Sequence, residues 1–338
     1  MRDLPLIGLM LGDATGIGPE ISVKVLSKTL ASGGIASSTR LAVIGDARVL
    51  QLGMRDAGIT LSHRTYTRLD EVAWSAGSVP VIDLANLDPA RLTRGEVSGE
   101  SGRVCGETLK YMIDLALAGK LDGICFAPLN KAALHGGGWT FHDEHQMFAS
   151  LTGHEGVFGE MNVIPEFVTF RVTSHVALRE AVNMITPERI ADVLYLADRT
   201  LRDMGCDPPH IGVAALNPHC GENGLFGEEE IRIIRPTIEK LRAEGIDATG
   251  PISSDTIFLK AKRGDFDAVV MMYHDQGQIA TKLLGFDRGV TVTAGLKTVL
   301  TTPAHGTAFD LVGQGKADPG ALDTAVRLAA TLAGAASR

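Results

Sequence analysis

The sequence predicts an α/β protein, built on a mostly parallel sheet that helices cover on both faces. Short β-rich apolar runs alternate with amphipathic stretches along the chain, which is the pattern of strand–helix–strand crossovers. The amphipathic stretches open on recognisable start signals, so chemistry marks where strand gives way to helix. With 338 residues and 45% apolar content, the chain can bury a large core and divide into two domains.

The strands expected, in order, are Leu6–Leu11, Leu41–Gly45, Val79–Asp83, Gly123–Ala127, Phe167–Thr173, Ile211–Leu216, Ala268–Tyr273 and Val290–Thr293. The opening MRDLPLIGLMLGD has a brief apolar stretch with little positive charge before it, and it reads as a buried strand rather than a secretion signal. Pro19-Glu20 starts the first helix. Thr186-Pro187-Glu188 supplies an N-cap, a proline at the first helical position and an early acid, and Asp318-Pro319 does the same for the last helix. Gly227-Glu228-Glu229-Glu230 opens a helix that bends or restarts at Pro236, because proline has no N–H to give. The turn-rich stretch from Asp83 to Gly102 reads as a long surface excursion. No internal repeat or low-complexity linker cuts the chain. The predicted domains are therefore discontinuous: the chain starts in one, builds a second and returns to the first.

Composition narrows the partners. A net charge of −8 without a basic stripe argues against nucleic acid, and no run approaches the length needed to span a bilayer. The four cysteines have no CxxC pair, which suits a reducing, cytoplasmic location. Cys105, Cys125 and Cys206 read as packed thiols. Cys220, directly after His219, reads either as a ligand or as a small residue filling a tight loop.

Chemistry gathers where strands end. His175 in VTSHVALRE, His219 in ALNPHCGENG and His274 in VVMMYHDQGQ each follow an apolar run, and neutral imidazole at strand ends is a common ligand for divalent metals. Asp275 either orients the neighbouring ring or caps the loop. Asp255 either lies near such a metal or caps the helix after it. GDATGIGPEI lacks GxGxxG spacing and reads either as an anion-binding helix start or as a plain strand–helix turn. The stretch Thr302–Gly320, TPAHGTAFDLVGQGKADPG, is a glycine-rich polar loop able to approach a dinucleotide, or a simple connector.

GDATGIGPE and HGTAFDLVGQGKADP resemble segments of the isopropylmalate and isocitrate dehydrogenase superfamily. Together with TSHVALRE, LNPHCGENGLFGEEE, GPISSDT and MYHDQG…K…GFDRGV, they resemble the 4-hydroxythreonine-4-phosphate dehydrogenase family over essentially the whole chain. The resemblance implies an isopropylmalate-dehydrogenase-like fold of two α/β/α domains, with the active site in the cleft between them and at a dimer interface. Residues 1–128 and 284–338 would form the cofactor-side domain, and residues 129–283 the metal, substrate and dimerisation domain. It further implies a homodimer with shared active sites, NAD or NADP as cofactor and one divalent metal (Zn, Mg, Co or Mn) on His175, His219 and His274. Lys282 and Asp255 would be catalytic, with Lys282, His145, Gln146 and Thr291 on the substrate. His305, Gly306, Thr307, Ala308 and Asp310 would line the cofactor site.

In HDEHQMF, one residue is inserted relative to the family, so His142 stays a rival to His145, and Lys131 is a further basic candidate. Thr291 and Leu300 stand where biosynthetic members carry asparagine and arginine, and losing a guanidinium removes a bidentate donor. Leu300, like the KLL after HDQG, is similar to the terephthalate cis-dihydrodiol dehydrogenases. The implied reaction is oxidative decarboxylation of a 4-phosphorylated hydroxy acid such as 4-hydroxythreonine 4-phosphate or threonate or erythronate 4-phosphate. The alternatives are oxidation of an aromatic cis-dihydrodiol carboxylate, a phosphotransacylase-like or hydrolytic metalloenzyme without dinucleotide, and a non-catalytic binding protein.

Overall fold

The computed structural model describes residues 4–31, 39–285 and 288–336; Phe286 and Asp287 of the GFDRGV motif lie outside them. Along the chain come β1 (Leu6–Met10), α1 (Gly18–Leu30), β2 (Arg40–Gly45), α2 (Ala47–Ala57), β3 (His63–Tyr66), β4 (Val79–Asp83), α3 (Gly99–Leu117) and β5 (Gly123–Phe126). They are followed by α4 (Lys131–Gly136), α5 (Glu144–Leu151), β6 (Gly159–Ile164), β7 (Phe167–Arg171), α6 (Leu178–Asn183), α7 (Pro187–Asp203), β8 (Ile211–Ala214) and α8 (Arg235–Ala243). The chain closes with β9 (Ala248–Ile252), α9 (Ser254–Lys262), β10 (Ala268–Met271), α10 (His274–Gly285), β11 (Val290–Ala294), β12 (Val299–Pro303) and α11 (Gly320–Ala336).

Two compact units result, one from residues up to Glu155 together with those from Leu296 onward, the other from Gly156–Gly295. The divisions expected after residues 128 and 283 fall elsewhere for reasons of packing. Met147 and Phe148 of α5 belong to the core around β5, with the Phe126 and Phe148 rings edge-on at 5.5 Å. Strand β11 pairs antiparallel with β6, which holds residues 290–294 in the second unit.

In the first unit the strand order is β3-β4-β2-β1-β5-β12, and every pairing is parallel. The central strands are buried on both faces and therefore apolar throughout rather than alternating. Burial pushes the Cys125 thiol of β5 up to about 12 and raises that of Cys105 on α3, so both are packed neutral thiols. Cys206 instead lies half-buried in the loop after α7.

The second unit is ordered β11-β6-β7-β10-β8-β9. Its β7-β10-β8-β9 portion is parallel, but β6 runs antiparallel to both neighbours, so this sheet is mixed. Thr186 caps α7 by accepting from the Arg189 N–H, with Pro187 in the first turn. Glu230–Ile234 form a π-helical turn that passes into α8, with Pro236 in the first turn of α8; the wider turn absorbs the hydrogen bond that proline cannot make.

The surface excursion is shorter than the sequence suggested, because Gly99–Gly102 already form the first turn of α3, capped by Ser98. Gly102 lets α3 press on α4: an added Cβ would collide with the carbonyl group of Ala133. Gly334 of α11 faces open space instead. Gly102→Ala should therefore lower unfolding free energy by about 2–3 kcal/mol despite the better helix former. Gly334→Ala should raise it by about 0.5 kcal/mol. Urea denaturation of the two variants checks the pair, and equal effects would refute the contact.

Candidate active site

Strands β7, β10 and β8 are parallel neighbours, so their C-terminal ends lie side by side, where ligands of open α/β sheets collect. Each end carries one of the three histidines. His175 follows β7 in the left-handed region, at φ 44°; His274 is the first residue of α10; His219 sits beyond β8. The rings of His175 and His274 stand 5.4 Å apart between centroids. Asp275 Oδ1 is 2.8 Å from His274 Nδ1. A carboxylate only accepts, so Nδ1 carries a proton, and in the neutral ring Nε2 then keeps the lone pair that can ligate. This donor set fits a borderline divalent metal. Among the described residues, no three His, Cys, Asp or Glu side chains converge on one point; the chain forms an imidazole pair, with His219 on the neighbouring strand end.

The His219 loop is strained and heavily braced. His219, Cys220, Glu222 and Asn223 all have φ between 42° and 57°, each costing about 1–2 kcal/mol for a residue with a Cβ. The fully buried Glu230 accepts from the N–H groups of Leu216 at 2.8 Å and Asn217 at 2.7 Å, and from Asn217 Nδ2 at 2.9 Å. The Cys220 thiol donates to the Pro251 carbonyl at 3.6 Å. Burial, with the charges of Glu230 and Asp255 and against that of Arg235, raises its pKa. A protonated, bonded thiol acts here as the small residue filling the loop. Asp255 is exposed in the first turn of α9 and Ser253 holds the N-cap position, so the cap reading of Asp255 fails while its charge reaches the His219 loop.

Lys282 lies on α10 two turns beyond His274 and is exposed. Between them the buried Gln278 is held in a polar core that sequence reasoning missed. Arg171 of β7 pairs with Glu160 of β6 and donates to Asn162 Oδ1 at 3.0 Å. Gln278 Nε2 donates to the same Asn162 oxygen at 2.6 Å. Asn162 Nδ2 also donates to Thr291 Oγ1 at 3.0 Å, which ties Thr291 to this core. An arginine inside the apolar run FVTFR was the signal that could have revealed it.

In the first unit, Asp143 caps α5 by accepting from the Gln146 N–H. His142 is exposed and His145 half-buried on the first turn. Lys131 is exposed at the start of α4. Leu300 is buried in the core, paired in register with Ile124.

The two glycine-rich segments meet each other. The Ile17 N–H donates to the Thr307 carbonyl at 3.0 Å, and a Cβ on Gly16 would stand 2.8 Å from Thr307 Cβ. Buried Glu20 accepts from the Ala317 N–H at 2.9 Å and from Lys24 Nζ at 2.7 Å, while Lys24 also donates to the carbonyls of Gly315 and Ala317. The α1 N-terminus is thus a structural turn carrying its own carboxylate, and its partner is the 305–317 loop. Within that loop Thr307 is buried, His305 half-buried, Gly306 and Asp310 exposed, and Ala308 is left-handed at φ 42°.

This architecture defines an α/β protein of the isocitrate and isopropylmalate dehydrogenase type, a fold likeness that extends at 14% identity and TM-score 0.52 to isocitrate dehydrogenase from Methylococcus capsulatus, over 96% of this chain and 84% of that one. The family model described as "Pyridoxal phosphate biosynthetic protein PdxA" matches residues 37–329, and the chain belongs to that family. It is 43% identical over 332 residues to D-threonate 4-phosphate dehydrogenase of Cupriavidus necator, covering 98% of both chains. The crystal structure of a 4-hydroxythreonine-4-phosphate dehydrogenase from Burkholderia phymatum matches with TM-score 0.81 at 40% identity, over 98% of this chain and 99% of that one. A terephthalate 1,2-cis-dihydrodiol dehydrogenase from Burkholderia xenovorans matches with TM-score 0.67 at 26% identity, over 97% and 98%.

Arg171 makes a direct test of the polar core possible. Arg171→Leu strands the Glu160 carboxylate in a buried setting and should cost about 3–5 kcal/mol of stability, measured by chemical denaturation. Stability within about 1 kcal/mol of the parent would mean the pair is incidental.

Proposed function

We propose that the chain is a metal-dependent NAD or NADP dehydrogenase that oxidises, and then decarboxylates, a 4-phosphorylated hydroxy acid. The observation that carries this reading is the histidine set on three adjacent parallel strand ends, with one ring already oriented by Asp275. The names of the curated relatives support the substrate class. His175, His219 and His274 would hold the metal, which when bound supplies a Lewis acid for the substrate oxygens.

The chain's own groups do the rest. The 305–310 loop holds the nucleotide through backbone groups and the Thr307 and Asp310 side chains. Lys282, His145, Gln146 and Thr291 hold the substrate. A bound nicotinamide would supply a hydride acceptor for the alcohol carbon, and the hydroxyl proton would pass to a base, for which Lys282 and Asp255 are the candidates. Because the alcohol lies β to a carboxylate, the product is a β-keto acid. Its C–C bond would break to release CO2, and the carbanion would take back the proton that this base, Lys282 or Asp255, had accepted.

The working form is a homodimer. Ile279 and Leu283 stand one turn apart on α10 and are 62% and 82% exposed, and Leu178, Leu225 and Phe226 are exposed beside the other histidine loops. Such apolar surface marks an interface. Among the described residues, no helix is long and apolar enough to cross a membrane.

The decisive assay is absorbance of reduced nicotinamide with each nucleotide, each of the four metals, and threonate, erythronate or hydroxythreonine 4-phosphate or a dihydrodiol dicarboxylate. Turnover of a phosphorylated acid is expected, abolished by chelator, restored by metal, and at least ~100-fold lower in His219→Ala and His274→Ala. No nucleotide reduction with any phosphorylated acid would sink the reading, and turnover of the dihydrodiol alone would replace its substrate. Separately, Leu283→Glu should leave the circular dichroism unchanged and shift sedimentation from dimer to monomer; an unshifted dimer would remove α10 from the interface.

A further inference from the structure

Strands β8 and β10 stay in register up to Val213 and Val270. Two residues further on, Ala215 and Met272 would be the next pair, but the ladder has stopped. A side-chain amide stands in the gap. Gln276 Oε1 accepts from the Met272 N–H at 2.7 Å, and its Nε2 donates to the Ala215 carbonyl at 2.6 Å. Nε2 also donates to Ser254 Oγ at 2.8 Å, whose own hydroxyl donates to the same Ala215 carbonyl at 2.8 Å. A carboxamide has the donor and acceptor of a peptide group, so Gln276 bridges the diverging strands as one residue of an intervening strand would.

The bridge continues on the other side of Met272. Its carbonyl accepts from the Thr173 N–H at 3.2 Å and from Thr173 Oγ1 at 2.9 Å. One unbroken series, Thr173, Met272, Gln276 and Ala215, therefore touches the loops of all three histidines. Thr173 is two residues from His175, Met272 and Gln276 two from His274, and Ala215 four from His219.

We infer that Gln276 is a positioning residue that sets the separation of the His219 and His274 loops. Accepting from Met272 is no more than a residue early in a helix does when it caps its own start, and a glutamate would do it equally well. Donating to Ala215 across the sheet is not needed for a cap. The two roles separate in one substitution: Gln276→Glu keeps the acceptor and turns the donor into a second acceptor facing a carbonyl.

The consequence for metal rests on the functional reading above, but the bridge does not, so the test has two arms on the full-length protein. The first is hydrogen exchange. Gln276→Glu, and Gln276→Met as a neutral variant, should speed exchange of peptides covering 213–224 roughly fivefold or more, with peptides before residue 155 unchanged. Ser254→Ala, which keeps the amide bridge, should stay within about twofold. The second arm is calorimetric titration with Co2+, where both Gln276 variants should bind at least ~10-fold more weakly. Unchanged exchange at 213–224 in Gln276→Glu, or an equal effect of Ser254→Ala, would reduce Gln276 to a helix cap and overturn the inference. Faster exchange with parental Co2+ affinity would overturn its positioning role. A parent protein that binds no Co2+ would fail the metal reading alone, and the exchange arm would still decide the bridge.

Discussion

A parallel strand ends with an amide and a carbonyl that its neighbour no longer takes up, and in this chain the second unit is shaped by how those groups are satisfied. Buried backbone left unpaired costs about 1–3 kcal/mol per group, so the ends of β7, β8 and β10 require polar side chains beside the histidines. Thr173, Gln276, Ser254 and Glu230 meet that requirement with bonds to Met272, Ala215, Leu216 and Asn217. The same side chains thereby fix where the histidine loops leave the sheet. Backbone satisfaction and site geometry are one problem with one solution.

The first unit solves a similar problem with carboxylates. Asp13 is buried and accepts from the Thr15 N–H, the Thr15 hydroxyl and the Ser101 hydroxyl, which fixes the turn between β1 and α1 against α3. Glu20, in the first turn of α1, holds the 305–317 loop through Ala317 and Lys24. The glycine-rich loop is thus bound along its length by α1 rather than hanging as a free connector. The two glycine-rich segments, almost three hundred residues apart in sequence, are thus packed against each other.

What the sequence made legible follows from which forces act locally. The buried parallel strands were readable because burial on both faces leaves an apolar run, and the cap at Thr186 and the break at Pro236 act within one turn, whereas the cap at Ser98 was hidden in a stretch that read as surface loop. Four strands were not readable. HRTY of β3 is a polar strand at the end of the strand order, paired with β4, and the Gly-Pro in ATGPI of β9 imitates a turn. In GEMNVI of β6, Glu160 and Asn162 look like loop residues because their partner, Arg171, lies on another strand. β12 was half absorbed into the loop that follows it. The histidines were visible from strand ends, whereas Gln276 and Glu230 were not, since their partners are backbone groups of a different strand. Leu300 was readable as a lost cation; the structure adds that its side chain is core, so that position does not present a side chain to substrate in this chain, and the likeness to dihydrodiol dehydrogenases there carries little weight for specificity.

The three histidine loops are not equally constrained, and the asymmetry has a physical origin. Four residues with side chains in the left-handed region around His219 cost on the order of 4–8 kcal/mol together, comparable with the net stability of a domain. Such a turn persists only where its surroundings over-determine it, and the buried Glu230 with its three bonds provides that. His274 is fixed by Asp275 and by the helix it begins. His175 lies in the most exposed of the three: residues 175–180 are all exposed, its backbone is left-handed at φ 44°, and its ring stands 5.4 Å from that of His274. The conformation of the His219 loop is thus set by a buried carboxylate rather than by its imidazole.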